Sequence, residues 1–183
     1  MINLYYHCGS TNHGCEAIVR STAKMLNTQL TLWSTAPDAD IAYGVNGIVN
    51  VAEDTKRPPT GARLFEFKVH HKLTGSDYLY TKFEHEDFFS SIRPGDICFS
   101  IGGDNYCYGG KEYLGYYNRI IHEKGGKTVF WGCSFEPSEM DAATAKDIAR
   151  YDLITARESI SYETLKAVNP TTILVADPAF VLD

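Results

Sequence analysis

The sequence lacks any apolar run close to the roughly 20 residues that cross a bilayer, and it does not open with a basic segment followed by an apolar stretch. These absences argue against a membrane-spanning helix and a secretory signal. We therefore expect a cytoplasmic protein whose contact with the inner membrane surface is at most peripheral. Positive charge is also scarce, with 17 basic against 23 acidic residues. The net charge of −6 disfavours nonspecific nucleic-acid binding, which depends on neutralising phosphates, so an anionic ligand requires a local site.

Cysteine is sparse and odd in number, with five in 183 residues. Two of them, Cys98 and Cys133, lie in or beside apolar strand candidates, and three lie in loops: Cys8, Cys15 and Cys107. This distribution is typical of reduced thiols rather than of a disulfide framework. His7 and His13 flank the first loop, but no matched second pair with zinc-like spacing exists. We therefore expect no metal site and no bound cofactor.

Apolar runs and helical patterns alternate along the chain. The predicted strands lie at 2–6, 30–33, 46–51, 97–101, 128–131, 152–155 and 172–175, and the predicted helices at 16–27, 62–73, 78–91, 111–124, 138–150 and 159–168. Strands that alternate with helices imply right-handed crossovers and a parallel sheet. We predict an α/β, Rossmann-like domain over residues 1–183, with helices on both faces of the sheet.

The first predicted strand is followed by a glycine-flanked polar loop and a helix. Gly9, Asn12 and Gly14 lie in this loop, and Glu16 lies in the first helical turn. Glycines allow close backbone approach and a helix N-terminus carries partial positive charge, so the loop is a candidate site for an anion or a sugar. The competing interpretation is a turn in which Asn12 or Ser10 caps the helix, with Glu16 stabilised only by the helix dipole.

Two further polar loops follow later strands. The first contains Gly102, Gly103, Asp104 and Asn105, and the second contains Arg157. The carboxyl ends of parallel strands meet at one edge of a sheet, so we expect the three loops to converge on one ligand site. The alternatives are a tight turn capped by Asp104, and an ion pair of Arg157 with Glu158 or Asp177.

Four other features have competing interpretations. His13 is a candidate general acid, although the sequence identifies no partner for it, and a solvated loop histidine is the alternative. Cys133 lies at a strand end like a nucleophile elbow, but Phe135 replaces the second glycine, so thiol catalysis is not expected.

The basic stretch 56–72 could approach an anionic glycan or a membrane; we expect instead a solvated helix that packs through its apolar side, at Leu64, Phe65, Val69 and Leu73. Tyrosines between 106 and 117 suit either sugar stacking or helix packing.

Four short motifs occur in a fixed order along the chain. They are Asn-x-Gly-x-Glu-Ala-Ile from Asn12, a strand ending in Gly102 and Gly103, Arg-Glu-Ser-x-Ser from Arg157, and Asp-Pro-Ala-Phe-x-Leu from Asp177. Each is unspecific alone, but together they span nearly the whole chain. In this order they resemble the motifs of the polysaccharide pyruvyl transferase family.

The resemblance implies the first half of a two-domain GT-B-type transferase, with a C-terminal partner domain outside this chain. It implies transfer of a pyruvyl unit from phosphoenolpyruvate, as co-substrate, to two hydroxyls of a sugar in a cell-surface or exopolysaccharide precursor. The isolated domain would then be inactive, and its exposed docking face could support homo-oligomers. Two alternatives remain: a sugar-nucleotide-dependent glycosyltransferase of the same architecture, and a noncatalytic carbohydrate- or anion-binding domain.

Overall fold

Seven parallel strands form one sheet in this computed structural model, which describes residues 1–108 and 111–182. The strands are β1 (Ile2–His7), β2 (Leu30–Ser34), β3 (Asn50–Glu53), β4 (Ile97–Ser100), β5 (Lys127–Cys133), β6 (Leu153–Ala156) and β7 (Thr172–Leu174). They pair in the order β3-β2-β1-β4-β5-β6-β7, and every pairing is parallel. The strand order reverses between β1 and β4, which is where ligands bind in open α/β sheets.

Helices cover both faces of the sheet. Within the described residues they are α1 (His13–Leu26), α2 (Pro37–Ala42), α3 (Gly61–Thr74), α4 (Tyr78–Glu84), α5 (Glu86–Ser91), α6 (Glu112–Glu123), α7 (Ala142–Ile148) and α8 (Ser159–Lys166). Ile18 of α1 packs on one face, and Ile120 of α6 packs on the other. The predicted α/β, Rossmann-like architecture is therefore confirmed. In the part of the chain that is described, no helix is both long and apolar enough to cross a membrane.

Strand β1 lies at the centre of the core and is packed on both faces. Because side chains alternate along a strand, Leu4 joins the cluster around Ile18 of α1, whereas Tyr5 stacks on Phe88 and Tyr117 from the opposite side. Both Leu4 and Tyr5 are fully buried. This packing fixes the end of β1, and with it the polar loop that follows.

The third strand begins later than predicted, and one helix was not predicted at all. Residues Val45–Gly47 form a 3-10 turn, and β3 starts only at Asn50. Val45 and Val49 are buried, so an alternating apolar pattern here arises from a turn rather than from a strand. The unpredicted helix α2 begins at Pro37, a residue that favours the first helical turn.

One predicted helix is interrupted in the structure, and another begins later than predicted. The predicted helix 78–91 breaks at His85, whose backbone lies outside the helical region and whose side chain is buried against Asp54. The predicted helix 138–150 begins instead at Ala142. Its N-terminal cap is Asp141, which accepts a hydrogen bond from the amide of Thr144.

Helix α3 forms close to its predicted bounds but does not pack as predicted. None of its residues is buried, and the side chains of Phe65 and Leu73 are 70% and 79% exposed. Arg63 forms a bidentate ion pair with Glu86, and the ring of Phe67 contacts that of Tyr80 edge-on. Of the four residues expected to pack, Leu64 is half-buried, whereas Phe65, Val69 and Leu73 are exposed, so for those three the prediction was wrong.

Candidate functional site

A cleft opens at the carboxyl ends of strands β1 to β4. Its main cavity has a volume of about 570 Å³, and a second cavity of about 190 Å³ lies beside it. The two share four lining residues: Asn12, Cys15, Gly102 and Asp104. The smaller cavity also reaches Arg157 after β6, so the loops after β1, β4 and β6 meet in one groove, as the sequence predicts.

Most of the predicted site residues line this groove, and three do not. The lining residues are Asn12, Gly14, Gly102, Gly103, Asp104, Asn105 and Arg157. Gly9 is buried in the turn below, where a β-carbon would lie 2.8 Å from Cβ of Ala36. His13 is exposed and Glu16 is largely covered by ion pairs: the His13 Nδ1 lies 3.0 Å from the Glu16 carboxylate, which also accepts a hydrogen bond from Arg20.

Asn12 caps helix α1. Its side-chain oxygen accepts hydrogen bonds from the amides of Gly14 and Cys15, at 3.0 and 3.3 Å, and its carbonyl accepts one from the amide of Glu16. These amides are therefore occupied from within the loop rather than directed at a ligand. The side-chain oxygen of Asn12 therefore caps the helix, which is the competing interpretation of the sequence. Asn12 also lines both cavities, where its side-chain NH₂ is available to a ligand.

The two glycines after β4 make room for neighbouring side chains. A β-carbon on Gly102 would lie 1.6 Å from the side-chain oxygen of Asn105, and the side-chain NH₂ of Asn105 donates a hydrogen bond to the Ser100 hydroxyl. Gly103 has a positive φ of 70°, and a β-carbon there would lie 3.3 Å from the Arg157 guanidinium. The absence of side chains at Gly102 and Gly103 thus leaves space for the side chains of Asn105 and Arg157 at the cleft, a role that the motif alone does not reveal.

Arg157 is held in place from two sides. Its Nε donates to the hydroxyl of Ser134 at 2.8 Å, and its Nη1 donates to Asp177 at 3.0 Å. The ion pair with Asp177, one of the two alternatives in the sequence, is therefore present. A guanidinium has five N–H donors, and within the described residues Nη2 makes no hydrogen bond or ion pair, so Arg157 keeps donors for an anion in the smaller cavity.

Cys8 and Cys15 form a pair of interacting thiols where the two cavities meet. A hydrogen bond from the Cys15 thiol, helped by nearby His7, lowers the pKa of Cys8 to about 6, although partial burial opposes the shift. The same interaction raises the pKa of Cys15. All five cysteines are free, and no group of three or more acidic, histidine or cysteine side chains in residues 1–108 and 111–182 is arranged to hold a metal ion.

A histidine and two carboxylates line the far end of the main cavity, and the sequence analysis missed all three. His85 Nδ1 lies 2.9 Å from Asp54, and its Nε2 lies 3.4 Å from Glu84. Tyr117 donates to the second oxygen of Asp54 at 3.3 Å. The only sequence signal was a histidine between two glutamates inside a predicted aromatic helix.

Buried polar contacts also support the floor of the cleft. His7 Nε2 lies 2.8 Å from Asp40, which also accepts a hydrogen bond from Ser10. Burial raises the pKa of Asp40, but the hydrogen bonds from Ser10, Ser34 and His7 outweigh it, so the net effect is a lowered pKa. The loops after β1 and β2 are thereby joined beneath the cavity.

Tyrosines contribute to the cleft unequally. Tyr106 and Tyr117 are almost fully buried, so packing is their main role. Tyr80 and Tyr113 are partly exposed and line the main cavity, where a sugar ring could contact them. Gly109 and Gly110, which lie within the tyrosine-rich segment, are outside the described residues.

Comparison with protein-family models gives one result that covers most of the chain: residues 12–183 match the model for polysaccharide pyruvyl transferase. The chain belongs to the polysaccharide pyruvyl transferase family. The segment that matches the family model contains the groove that joins Asn12, Gly102 and Arg157. Among curated proteins, no sequence matches it significantly.

A solved structure matches the fold of this pyruvyl transferase family domain. It is the crystal structure of Anabaena Alr3699/HepE in complex with UDP and glucose, with a TM-score of 0.56 and 11% sequence identity. The match covers 96% of this chain and 44% of that chain, so the domain spans less than half of the matched protein. At this identity the likeness shows the fold, which is one half of a GT-B-like arrangement.

Proposed function

We propose that this chain is the N-terminal domain of a polysaccharide pyruvyl transferase. It moves a pyruvyl unit from phosphoenolpyruvate to a sugar of a cell-surface or exopolysaccharide precursor in the cytoplasm. The observation that carries the proposal is that motifs within the family-matched segment meet at one groove, lined by Asn12, Gly102 and Arg157. A C-terminal domain outside this chain supplies the opposite wall of the active site.

Arg157 is the residue best suited to the donor. Phosphoenolpyruvate carries a phosphate and a carboxylate, and a planar guanidinium binds such groups with two parallel hydrogen bonds. Ser134 and Asp177 fix the orientation of Arg157, which lines the smaller cavity, and Nη2 makes no hydrogen bond within the described residues. Prior orientation of this kind lowers the entropic cost of binding an anion.

The reaction requires one proton donor and two hydroxyl nucleophiles. Protonation of the donor's methylene carbon leaves cationic character on the neighbouring carbon, which the first sugar hydroxyl attacks. The second hydroxyl then replaces phosphate. In all, one C–H and two C–O bonds form, the C=C π bond and the C–O bond to phosphate break, and the two hydroxyl protons go to the deprotonated acid and to the departing phosphate. Charge on the departing phosphate is what a fixed guanidinium stabilises.

Calorimetric titration tests where the donor binds. We expect phosphoenolpyruvate to bind the chain saturably and Arg157→Ala to abolish that binding. The matched control is Arg150→Ala, because Arg150 is also partly exposed but lies just before β6, at the opposite edge of the sheet. Binding that survives Arg157→Ala would contradict this assignment.

The same titration separates the two other functions that the sequence leaves open. A preference for a sugar-nucleotide diphosphate over phosphoenolpyruvate would favour the glycosyltransferase alternative. Binding of saccharide alone, together with no turnover by a longer chain that includes the second domain, would favour the noncatalytic alternative.

A further inference from the structure

The far end of the main cavity carries a histidine whose two ring nitrogens both face carboxylates. Asp54 lies 2.9 Å from Nδ1 and Glu84 lies 3.4 Å from Nε2. The side chains of His85 and Asp54 are only 7% and 5% exposed, whereas that of Glu84 is 14% exposed. Glu84 is thus the member of the cluster that is most open to the cavity.

The histidine ring cannot turn freely. Tyr117 packs against it with a centroid distance of 5.1 Å and also donates to Asp54, so both oxygens of Asp54 accept hydrogen bonds. Asp54 therefore directs the Nδ1 edge of His85 inward and leaves the Nε2 edge on the side of Glu84 and the cavity. A ring fixed in this way holds one nitrogen ready for a ligand.

We propose that this wall is a subsite for a saccharide, in which Glu84 and His85 bind neighbouring hydroxyls and Tyr80 offers a ring face to the sugar. Asp54 is a positioning residue that acts through His85. The inference deepens the proposed function, because it assigns the acceptor to the Glu84 end of the cleft and the donor to the Arg157 end.

The distribution of charge supports this division. The main cavity is lined by the carboxylates of Asp54, Glu84 and Asp104, with Lys56 as its one cation within the described residues. The smaller cavity is lined by Arg157, by its ion-pair partner Asp177, and by Asp104, which both cavities share. Carboxylates repel a phosphate but accept hydrogen bonds from hydroxyls, and an aromatic ring beside them is suited to the apolar face of a sugar.

A purely structural role for the Asp54–His85 pair would not require Glu84 beside the histidine ring. Asp54 and His85 alone are sufficient to tie the junction of α4 and α5 to the end of β3. The backbone carbonyl of Glu84 contributes to that tie by accepting a hydrogen bond from the Arg57 amide at 2.9 Å, but the Glu84 side chain is not needed for it. A second carboxylate at a mostly buried ring adds a charge that needs a partner. A ligand hydroxyl next to Glu84 and His85 supplies one.

Nuclear magnetic resonance of the chain with labelled histidine tests the subsite. The probes are methyl β-galactopyranoside and methyl β-glucopyranoside, with inorganic phosphate as an anionic competitor. We expect at least one sugar to shift the His85 ring signals saturably, to leave those of His70 on α3 unchanged, and to stay bound when phosphate is added.

Two matched variants make the test specific. Glu84→Gln removes one charge without changing shape, and we expect it to weaken sugar binding about tenfold, because hydrogen bonds to a charged group are the stronger ones. Glu66→Gln, on exposed helix α3, should leave binding unchanged. Both substitutions leave the buried Asp54–His85 pair in place, so neither result depends on refolding.

Three outcomes overturn the proposal: neither sugar shifts the His85 signals, the shift is the same in Glu84→Gln, or phosphate displaces the sugar. The result is independent of the donor titration. Loss of phosphoenolpyruvate binding with sugar binding retained would remove the proposed function and leave the saccharide subsite.

Discussion

Gly102 shows how a single residue without a side chain shapes the cleft. The space that its side chain would fill is taken by the amide of Asn105, which is fixed by a hydrogen bond to the buried Ser100 at 2.9 Å. The sequence suggests that the Gly-Gly pair admits a ligand. In the structure, the vacant space instead admits the side chain that lines the site.

Gly102→Ala should therefore destabilise the domain by displacing Asn105. We expect the free energy of unfolding in urea to fall by about 1–2 kcal/mol, the magnitude of a lost hydrogen bond with a buried partner left behind. The same substitution in an Asn105→Ala background should cost clearly less, because nothing then occupies the space. Gly47→Ala is the control, since a β-carbon there meets no atom within 4 Å. Equal costs in both backgrounds would show that Asn105 is not the cause.

Cys8 should be the reactive thiol of the chain. Only the thiolate is nucleophilic, and the hydrogen bond from Cys15 lowers the pKa of Cys8 to about 6, so its alkylation rate should rise through half-maximum near pH 6. Cys15→Ala removes that hydrogen bond, and the half-maximum should move up toward about 8.5, the value of an ordinary thiol. Mass spectrometry of iodoacetamide-treated protein measures the rate site by site.

Cys107 provides an internal comparison for this experiment. Partial burial and the nearby Asp104 carboxylate raise the pKa of Cys107, so it should react more slowly than Cys8 at neutral pH. If the two cysteines follow the same pH profile, the Cys8–Cys15 interaction does not control reactivity.

Among the secondary-structure elements, the sequence predicts best the strands that are covered on both faces of the sheet. β1, β4 and β5 read as nearly continuous apolar runs because each is covered on two faces, and all three were predicted close to their bounds. The strand predicted at 46–51 was misplaced because Val45 and Val49 are buried in the core from a turn rather than from a strand. Local alternation cannot distinguish that arrangement from a strand.

The break between α4 and α5 was unpredictable for a different reason. No glycine or proline lies between 78 and 91, so propensity alone favours one continuous helix. The break is made by a distant partner: His85 leaves the helix to bind Asp54, 31 residues earlier in the chain. The wall of the cleft that depends on this contact was therefore missed together with it.

Helix α3 should contribute little to stability despite its apolar residues. Phe65 is 70% exposed, so Phe65→Ser should change the free energy of unfolding by less than about 0.5 kcal/mol. Phe88→Ala on α5 removes a fully buried ring and should cost about 3–5 kcal/mol. Urea unfolding of the two variants makes the comparison. A cost for Phe65→Ser close to that for Phe88→Ala would mean that α3 belongs to the core after all.

For the molecule as a whole, the cleft has the character of one wall of a site. Within the described residues the cations that line it are Lys56 and Arg157, one in each cavity, while the donor brings two anionic groups. His13, the candidate general acid, is exposed and does not line the smaller cavity. Under the proposed function, the C-terminal domain supplies the remaining cation and the acid.

The chain alone should therefore bind but not turn over. With phosphoenolpyruvate and a saccharide that binds the Glu84 subsite, we expect no phosphate release above the uncatalysed rate, and release when the chain is joined to its C-terminal domain. In that longer protein, Arg157→Ala should lower kcat/KM about 100-fold or more, the usual range for removing a group that stabilises developing charge. A colorimetric phosphate assay measures both. Phosphate release by the chain alone, abolished by Arg157→Ala, would show that this domain holds a complete active site.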